Sequence, residues 1–288
     1  MKDKPKAYDS PTAFRRALED RLKRIRETEN LDFQRLLREV AFDRFLARLF
    51  ADENAPWVLK GGYALELRLK NARATRDIDL ALRHALGTEK GRPTNALIHQ
   101  ALQDAASRDL GDFFSFVIGE AMRDLDGAPY GGARFPVESV IDARTFVKFH
   151  LDIGAGDVLM APIETLRARD WLGFAGIAAP RFQAISPEQH FAEKLHAYTV
   201  PRTRPNTRVR DLVDMALLIG SSRLHAERTA AALKETFVRR KTHPVPAALK
   251  PPPAAWKEPF AVLAQECGLP AEINAAFAVL DAFFARLP

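Results

Sequence analysis

The chain has 288 residues, of which 47% are hydrophobic and 28% charged, as is typical of a globular protein with one large domain or two modest ones. No apolar run reaches the roughly 18 residues of a membrane span, and no apolar segment follows the basic start at residues 1–6, so we expect a cytoplasmic protein with no membrane partner. The lone Cys267 excludes an intramolecular disulfide, while the net charge of +6 favours an anionic partner such as nucleic acid.

The first half of the chain is predicted to begin with two amphipathic helices and to continue with strands. Ser10-Pro11 precedes a helical repeat of apolar residues, which predicts an N-capped helix with proline in its first turn. Further elements are predicted as a helix at about 31–51, strands at 57–59, 77–82, 113–118 and 145–153, helices at 63–69 and 94–107, and a turn region at 124–136.

The second half is predicted to be mainly helical. Ser186-Pro187-Glu188-Gln189 is a capping box that starts a helix ending near Tyr198. Further helices are predicted at 208–219, with Gly220 just after its end, and at 223–240, 256–267 and 270–286. A proline-rich connector spans 243–253. We therefore expect two parts, residues 1–165 and residues 166–288.

The pattern that carries most chemistry is Lys60-Gly61-Gly62 followed by Asp77-Ile78-Asp79. A glycine pair after an apolar run lets the backbone approach a phosphate closely, because neither residue has a side chain. Asp-x-Asp on a strand places both carboxylates on one face, where their repulsion favours a bound cation, and hard oxygen ligands suit Mg²⁺ or Mn²⁺. Lys60 is a candidate triphosphate contact. This equipment is typical of phosphoryl or nucleotidyl transfer.

A third acid is predicted to join the first two. Asp152 lies in an alternating strand, so it would share a face with Asp77 and Asp79 if the two strands are neighbours in one sheet. Metal ions would then explain three acids on one sheet face. The alternative is that these acids pair with nearby basic residues on a wet face, namely Arg73, Arg76 and Lys148.

Two further features have both a functional and an ordinary interpretation. Thr75 lies two residues before Asp77, so phosphorylation there would add charge and block the site; the alternative is a simple turn threonine. The second feature is a set of basic residues that would either track nucleic-acid phosphates or be scattered solvated charge: Arg202, Arg204, Arg208, Arg210 and the basic face of the first helix.

Five segments occur in an order that resembles the AbiEii/AbiGii family of nucleotidyltransferase toxins, which includes the mycobacterial MenT proteins. They are Trp57-Val-Leu-Lys-Gly-Gly-Tyr-Ala-Leu-Glu-Leu-Arg-Leu, Arg76-Asp-Ile-Asp-Leu, His150-Leu-Asp-Ile-Gly-Ala-Gly-Asp157, Phe191-Ala-Glu-Lys-Leu-His-Ala-Tyr198 and Arg210-Asp-Leu-Val-Asp214. The resemblance covers about residues 35–220. It implies an α/β (α+β) fold: a nucleotidyltransferase core with a small mixed sheet, N-terminal helices and a helical C-terminal part.

The resemblance also implies roles for individual residues. Gly61 and Gly62 would hold the triphosphate through backbone amides, where many nucleotidyltransferases have Gly-Ser instead. Arg76 would assist nucleotide binding, and Asp77, Asp79 and Asp152 would be metal ligands. Lys194 and Asp211 fall where the family has a further active-site Lys and Asp, whereas by themselves they would be a surface lysine and a first-turn helix acid.

The expected function is metal-dependent transfer of a nucleotide from an NTP to RNA, with the 3′ end of tRNA as the acceptor and blocked translation as the result. The resemblance also implies a cognate antitoxin protein as partner. Two alternatives stay open at this point. The acceptor could be a small molecule or a protein side chain, since +6 is a mild charge. The chain could also be a non-catalytic RNA-binding module.

Overall fold

The computed structural model describes residues 6–83, 94–124 and 129–288. The helices in these ranges are α1 (Pro11–Glu29), α2 (Phe33–Leu49), α3 (Gly61–Arg68), α4 (Asn95–Ala106), α5 (Pro187–Thr199), α6 (Val209–Gly220), α7 (Ala226–Arg240), α8 (Lys257–Glu266) and α9 (Ile273–Phe284). The strands are β1 (Trp57–Lys60), β2 (Asp77–Leu82), β3 (Ser115–Ile118), β4 (Arg123–Asp124), β5 (Gly132–Ile141), β6 (Arg144–Gly154), β7 (Glu164–Arg167) and β8 (Arg181–Ala184).

These elements form two compact units whose segments alternate along the chain. The first unit comprises the described residues of Met1–Leu59, Arg76–Gly156 and Thr165–Gln183. The second comprises Lys60–Thr75, Asp157–Glu164 and Ala184–Pro288. No single cut of the chain separates them, whereas the sequence predicted one cut after residue 165. That predicted domain boundary stays a prediction.

The first unit is built on a mixed sheet, as expected. The strand order is β3-β5-β6-β2-β1-β8-β7, and β4 pairs with β5. β2 and β6 are parallel, whereas β5 is antiparallel to both β3 and β6. Parallel neighbours need a long connection between them. Here the chain between β2 and β6 includes α4, β3 and β5, so the pairing of β2 with β6 is a long-range event.

Helices α1 and α2 start where the sequence predicts. The Ser10 hydroxyl accepts a hydrogen bond from the Ala13 amide at 3.3 Å, and Pro11 occupies the first turn, where no amide donor is needed. Asp32 caps α2 in the same way, through the Arg35 amide at 2.8 Å. The apolar face of α1 is buried.

An ion-pair cluster buried in the first unit holds α2 to the loop before β3. Asp112 is fully buried and accepts from Arg44 Nε at 2.6 Å and from both terminal nitrogens of Arg48, at 2.9 and 2.6 Å. Arg48 also donates to the Phe114 carbonyl at 2.7 Å. The guanidinium groups hold the pKa of Asp112 below its ordinary value against the opposing effect of burial. A buried carboxylate is tolerated here because every oxygen has a charged donor.

The second unit is mainly helical around its own apolar core. Its core side chains come chiefly from α5, α6, α7, α8 and α9, and the lone Cys267 is fully buried among them as expected. Ser186 caps α5 through the Gln189 amide at 3.1 Å, as predicted. The reciprocal half of the capping box is not made, because the Gln189 side-chain oxygen accepts from the Met160 amide at 3.0 Å instead. Gly220 is the last helical residue of α6 rather than the residue after its end; the left-handed conformation occurs at Ser222, with φ of 55°.

Two sequence interpretations need correction. Residues 132–136, which were predicted to be part of a turn, form the first half of β5, while residues 125–128 of that predicted turn lie outside the described residues. The sequence does not predict strands β7 and β8, whose short segments contain few apolar residues. In the described ranges, none of the helices has the length and apolar character needed to cross a membrane.

Candidate functional site

Three carboxylates lie on one face of the sheet in the first unit. In the parallel pair β2 and β6, Asp79 stands opposite Asp152, and Asp77 stands opposite His150. Ile78 and Leu80 are fully buried on the opposite face, because side chains alternate along a strand. The condition set by the sequence, that the two strands be neighbours, is therefore met. His150 Nδ1 lies 3.3 Å from Asp77 Oδ1.

A basic residue that the sequence analysis did not single out occupies this acidic cluster. Arg134 on β5 stands opposite Asp152 on β6. Its Nε and Nη2 donate to the two oxygens of Asp152, both at 2.7 Å, and Nη2 lies 3.5 Å from Asp77 Oδ2. Hydrogen bonding to Asp152 raises the pKa of the Arg134 guanidinium, with further contributions from Asp77 and Asp79. The fork geometry is the strong form of an arginine–carboxylate pair.

The basic residues proposed as alternative partners make other ion pairs or are exposed. Arg73 pairs with Asp214 in the second unit, and Lys148 pairs with Glu138 at 3.3 Å. Arg76 is exposed. A cation does balance the acids, but it comes from β5, a segment that was interpreted as a turn. Its glycines and Pro136 hid the alternation that places Arg134 on the same face as the acids.

The three acids fit a magnesium ion by donor type, and Arg134 already lies against two of them, Asp77 and Asp152. Within residues 6–83, 94–124 and 129–288, no group of three or more His, Cys, Asp and Glu side chains is arranged to hold a metal ion. Carboxylate oxygens on one face are nevertheless the ligands that Mg²⁺ prefers, and Asp77 and Asp79 supply them. Asp152 differs because both of its oxygens accept hydrogen bonds from Arg134.

A cavity of about 730 Å³ borders this cluster in the first unit. Asp77 and His150 contribute to its wall, together with the cationic side chains of Arg38, Arg76 and Lys148. A cavity with carboxylate at one side and several cations around it can receive a polyanion without burying unpaired negative charge.

The glycine pair lies in the second unit, at the start of α3. Gly61 has φ of +65°, a conformation that residues with a side chain rarely adopt. Gly62 is constrained by a neighbour instead, because a Cβ at this position would lie 2.6 Å from Thr75 Oγ1 and 2.8 Å from Thr75 Cβ. Thr75 thus explains why a second glycine stands where serine is common.

Lys60 takes part in an ion-pair cluster of the second unit. Its ammonium group pairs with Asp157, to which it donates a hydrogen bond, and with Glu193 at 3.5 Å. Arg240 Nη2 donates to the other oxygen of Asp157 at 2.9 Å. Burial works to lower the pKa of Lys60, but the two carboxylates outweigh it and raise that pKa above its ordinary value. Contact between Lys60 and a triphosphate stays a prediction.

Lys194 and Asp211 form an ion pair inside a larger buried network of the second unit. Lys194 Nζ lies 3.1 Å from Asp211 Oδ1 and 2.6 Å from Asp214 Oδ2. Arg73 forks onto Asp214 at 2.9 and 2.8 Å. Burial opposes a charged Lys194, yet Asp214 and Asp211 raise its pKa above the ordinary value. Sequence reasoning gave no role to Asp214, although it ends the Arg210–Asp214 segment.

One atom of this network lacks a hydrogen bond. Asp211 Oδ2 is buried and accepts none within the described part of the chain; Arg208 Nη1 is 3.7 Å away. Buried acceptors are rarely left so, because the lost hydration costs about 1–3 kcal/mol. Asp211 is thus able to accept a hydrogen bond from a bound molecule.

Comparison with known proteins identifies the family. A family model described as the nucleotidyl transferase AbiEii toxin of type IV toxin–antitoxin systems matches residues 44–277. The chain belongs to the AbiEii family. The AbiEii match covers the glycine pair, the three strand carboxylates and the Lys194 network, so these features lie within the shared region. A search of curated proteins finds no match.

Among solved structures, two Helicobacter pylori proteins are similar to this AbiEii chain. JHP933 has 15% sequence identity and a TM-score of 0.48, over 89% of this chain and 93% of JHP933. A protein assigned provisionally as a nucleotidyltransferase has 16% identity and a TM-score of 0.49, over 89% of this chain and 96% of its own.

Proposed function

We propose that this AbiEii protein is a metal-dependent toxin of the cytoplasm that transfers nucleotides from an NTP to RNA, with the 3′ end of tRNA as acceptor and blocked translation as the consequence. The family membership supports nucleotidyl transfer and an antitoxin partner. The observation that carries the proposal is the alignment of Asp77, Asp79 and Asp152 on neighbouring parallel strands.

In this proposal the attacking 3′-hydroxyl oxygen of the RNA forms a bond to the α-phosphorus of the NTP. The bond from that phosphorus to the bridging oxygen breaks, and pyrophosphate leaves. Asp152 accepts the proton of the attacking hydroxyl, which requires that one of its oxygens be released from Arg134. Asp77, Asp79 and Asp152 would hold Mg²⁺ or Mn²⁺, which would neutralise charge on the triphosphate.

Further residues are proposed to bind the phosphates of the NTP. The backbone amides of Gly61 and Gly62 bind phosphate oxygens, and Lys194 balances negative charge on the leaving pyrophosphate. Asp211 uses its unpaired oxygen to accept a hydrogen bond from the substrate. Lys60 and Arg76 are assigned to nucleotide binding as well.

Thr75 is proposed as a regulatory phosphorylation site. Its side chain packs against Gly62, where an added Cβ would already be 2.6 Å from the hydroxyl oxygen. A phosphate at this oxygen would place about two negative charges beside the glycine pair and repel a triphosphate. An antitoxin that causes this modification would silence the toxin.

The acceptor RNA is proposed to be held by its phosphates. Arg202, Arg204, Arg208 and Arg210 are all exposed in the second unit, as a phosphate-binding surface requires. Two basic residues of α1 have structural contacts instead. Arg15 donates to the Ile141 carbonyl at 3.1 Å, and Arg21 lies over the Phe174 ring.

A label-transfer assay tests the proposal. Purified protein, Mg²⁺ and each labelled NTP in turn are incubated with total tRNA. We expect a labelled tRNA band with at least one NTP and none with Asp79→Ala. The matched control is Asp20→Ala, which removes an exposed carboxylate from α1 and should leave transfer intact. Activity of Asp79→Ala at the wild-type level would contradict the metal-site assignment.

The same assay separates the alternatives. Label on a small molecule or on protein, with tRNA unlabelled, would show that the acceptor is not RNA. Tight RNA binding that is indifferent to Mg²⁺ and to Asp79→Ala, without any transfer, would indicate a binding module. RNA contacts should also weaken steeply with salt, whereas binding of a small neutral acceptor should not.

A further inference from the structure

A row of three charged residues crosses the sheet of the first unit. Arg134 on β5 is the register partner of Asp152 on β6, and Asp152 is the register partner of Asp79 on β2. All three side chains lie on the same face, because they hold equivalent positions on adjacent strands. Asp77 is two residues along from Asp79 and adds a third acid to this face.

The guanidinium of Arg134 forms a bidentate ion pair with Asp152. It donates two hydrogen bonds of 2.7 Å, one to each carboxylate oxygen. Both groups are partly buried, with side-chain exposures of 21% for Arg134 and 16% for Asp152. Burial reduces solvent screening, so the pair is stronger than an exposed one.

The same guanidinium is positioned where a metal ion would be expected. Besides Asp152 it lies 3.5 Å from Asp77 Oδ2, and Asp79 acts on it electrostatically. One cation thus lies among three carboxylates. A divalent ion bound to all three would have to share this space and these oxygens with a positive charge.

We propose that Arg134 is the resident counter-ion of the acidic cluster and that it weakens metal binding by holding Asp152 until the guanidinium is displaced. This inference rests on the proposed function, because it concerns the metal site of that reaction. Without metal, Arg134 relieves the repulsion among the acids; for metal to gain Asp152 as a ligand, the two hydrogen bonds must break. Arg134 is therefore a positioning residue that sets the metal affinity of the site.

Mn²⁺ binding measured without nucleotide or RNA tests this inference. Free Mn²⁺ is followed by electron paramagnetic resonance while it is titrated into wild type, Arg134→Gln and Arg134→Lys. We expect Arg134→Gln to bind Mn²⁺ at least tenfold more tightly than wild type, because a competing charge is gone. Arg134→Lys should fall between them, since lysine keeps the charge but cannot form the fork. Asp79→Asn in the Arg134→Gln background should remove the gain.

Unchanged or weaker Mn²⁺ binding by folded Arg134→Gln would overturn the inference, as would a gain that survives Asp79→Asn. If circular dichroism shows that Arg134→Gln does not fold, Arg134→Lys decides: affinity no higher than wild type overturns the inference. The label-transfer assay on the same wild-type preparation keeps the two proposals apart. Transfer with no affinity gain refutes only the role of Arg134, and an affinity gain without transfer refutes only the proposed reaction.

Discussion

Gly62 and Thr75 allow the local geometry of the glycine pair to be tested quantitatively. Gly62→Ala would place a Cβ 2.6 Å from Thr75 Oγ1 and 2.8 Å from Thr75 Cβ. Overpacking of this kind costs about 1–3 kcal/mol. Alanine in place of glycine within a helix gains about 0.5–1 kcal/mol. The difference predicts that Gly62→Ala lowers the free energy of unfolding by about 0–2.5 kcal/mol.

The sign should reverse when Thr75 loses its side chain. In a Thr75→Gly background nothing remains for the new Cβ to meet at short distance, so Gly62→Ala should then stabilise by about 0.5–1 kcal/mol. Gly220→Ala is the matched control: Gly220 is also helical, and a Cβ there meets nothing within 4 Å. We expect this control to be neutral or stabilising in either background.

Urea unfolding followed by circular dichroism measures all of these variants, with the coupling energy taken from the double-mutant cycle. A coupling energy near zero between Gly62→Ala and Thr75→Gly would refute the close contact. Destabilisation that persists in the Thr75→Gly background would show that some other neighbour, rather than Thr75, excludes a side chain at this position.

Three further predictions concern buried ionisable groups. Asp112→Ala should cost about 3–5 kcal/mol in urea unfolding, because two buried arginines lose their partner, whereas Ala at the exposed Asp20 should change little. Burial lowers the pKa of His196 from 6.5 to about 4. As the pH falls, this histidine is therefore protonated in the unfolded chain before it is protonated in the folded protein. The free energy of unfolding should be constant above pH 6.5 and should decrease toward pH 4 by up to about 1.4 kcal/mol per pH unit. His196→Gln should reduce the dependence of the unfolding free energy on pH between 6.5 and 4, and an unchanged dependence would contradict this prediction. Lys194→Met should lower the melting temperature, because the buried carboxylate of Asp214 loses one of its cationic partners. The transfer activity of this variant is to be measured well below its melting temperature.

The faces of individual elements could be predicted from the sequence, because they depend on neighbours along the chain. Ser10 and Ser186 cap α1 and α5 as predicted, since capping involves residues three positions apart. Alternation on β2 and β6 placed Asp77 and Asp79 on one face and Asp152 on a face of its own strand. From the sequence, all three acids share one face only if the strands that carry them are neighbours in the sheet.

The identity of the cation among the acids could not be predicted. Glycines and Pro136 favoured a turn at 124–136, yet Gly132 serves strand pairing: a Cβ there would lie 2.0 Å from the Ile153 carbonyl oxygen. A glycine required by a close neighbouring strand looks the same in the sequence as a glycine required by a turn. Arg134 was therefore not recognised as a strand residue beside Asp152.

The sequence by itself determined the residue types of the site and the local faces on which they lie, since both follow from the order of side chains along the chain. Only the tertiary structure decided which strands are neighbours and which charges meet, as in the pairing of Asp152 with Arg134 and of Lys194 with Asp211 and Asp214. Such pairings depend on long-range packing, in which any basic residue of suitable reach can meet a given acid.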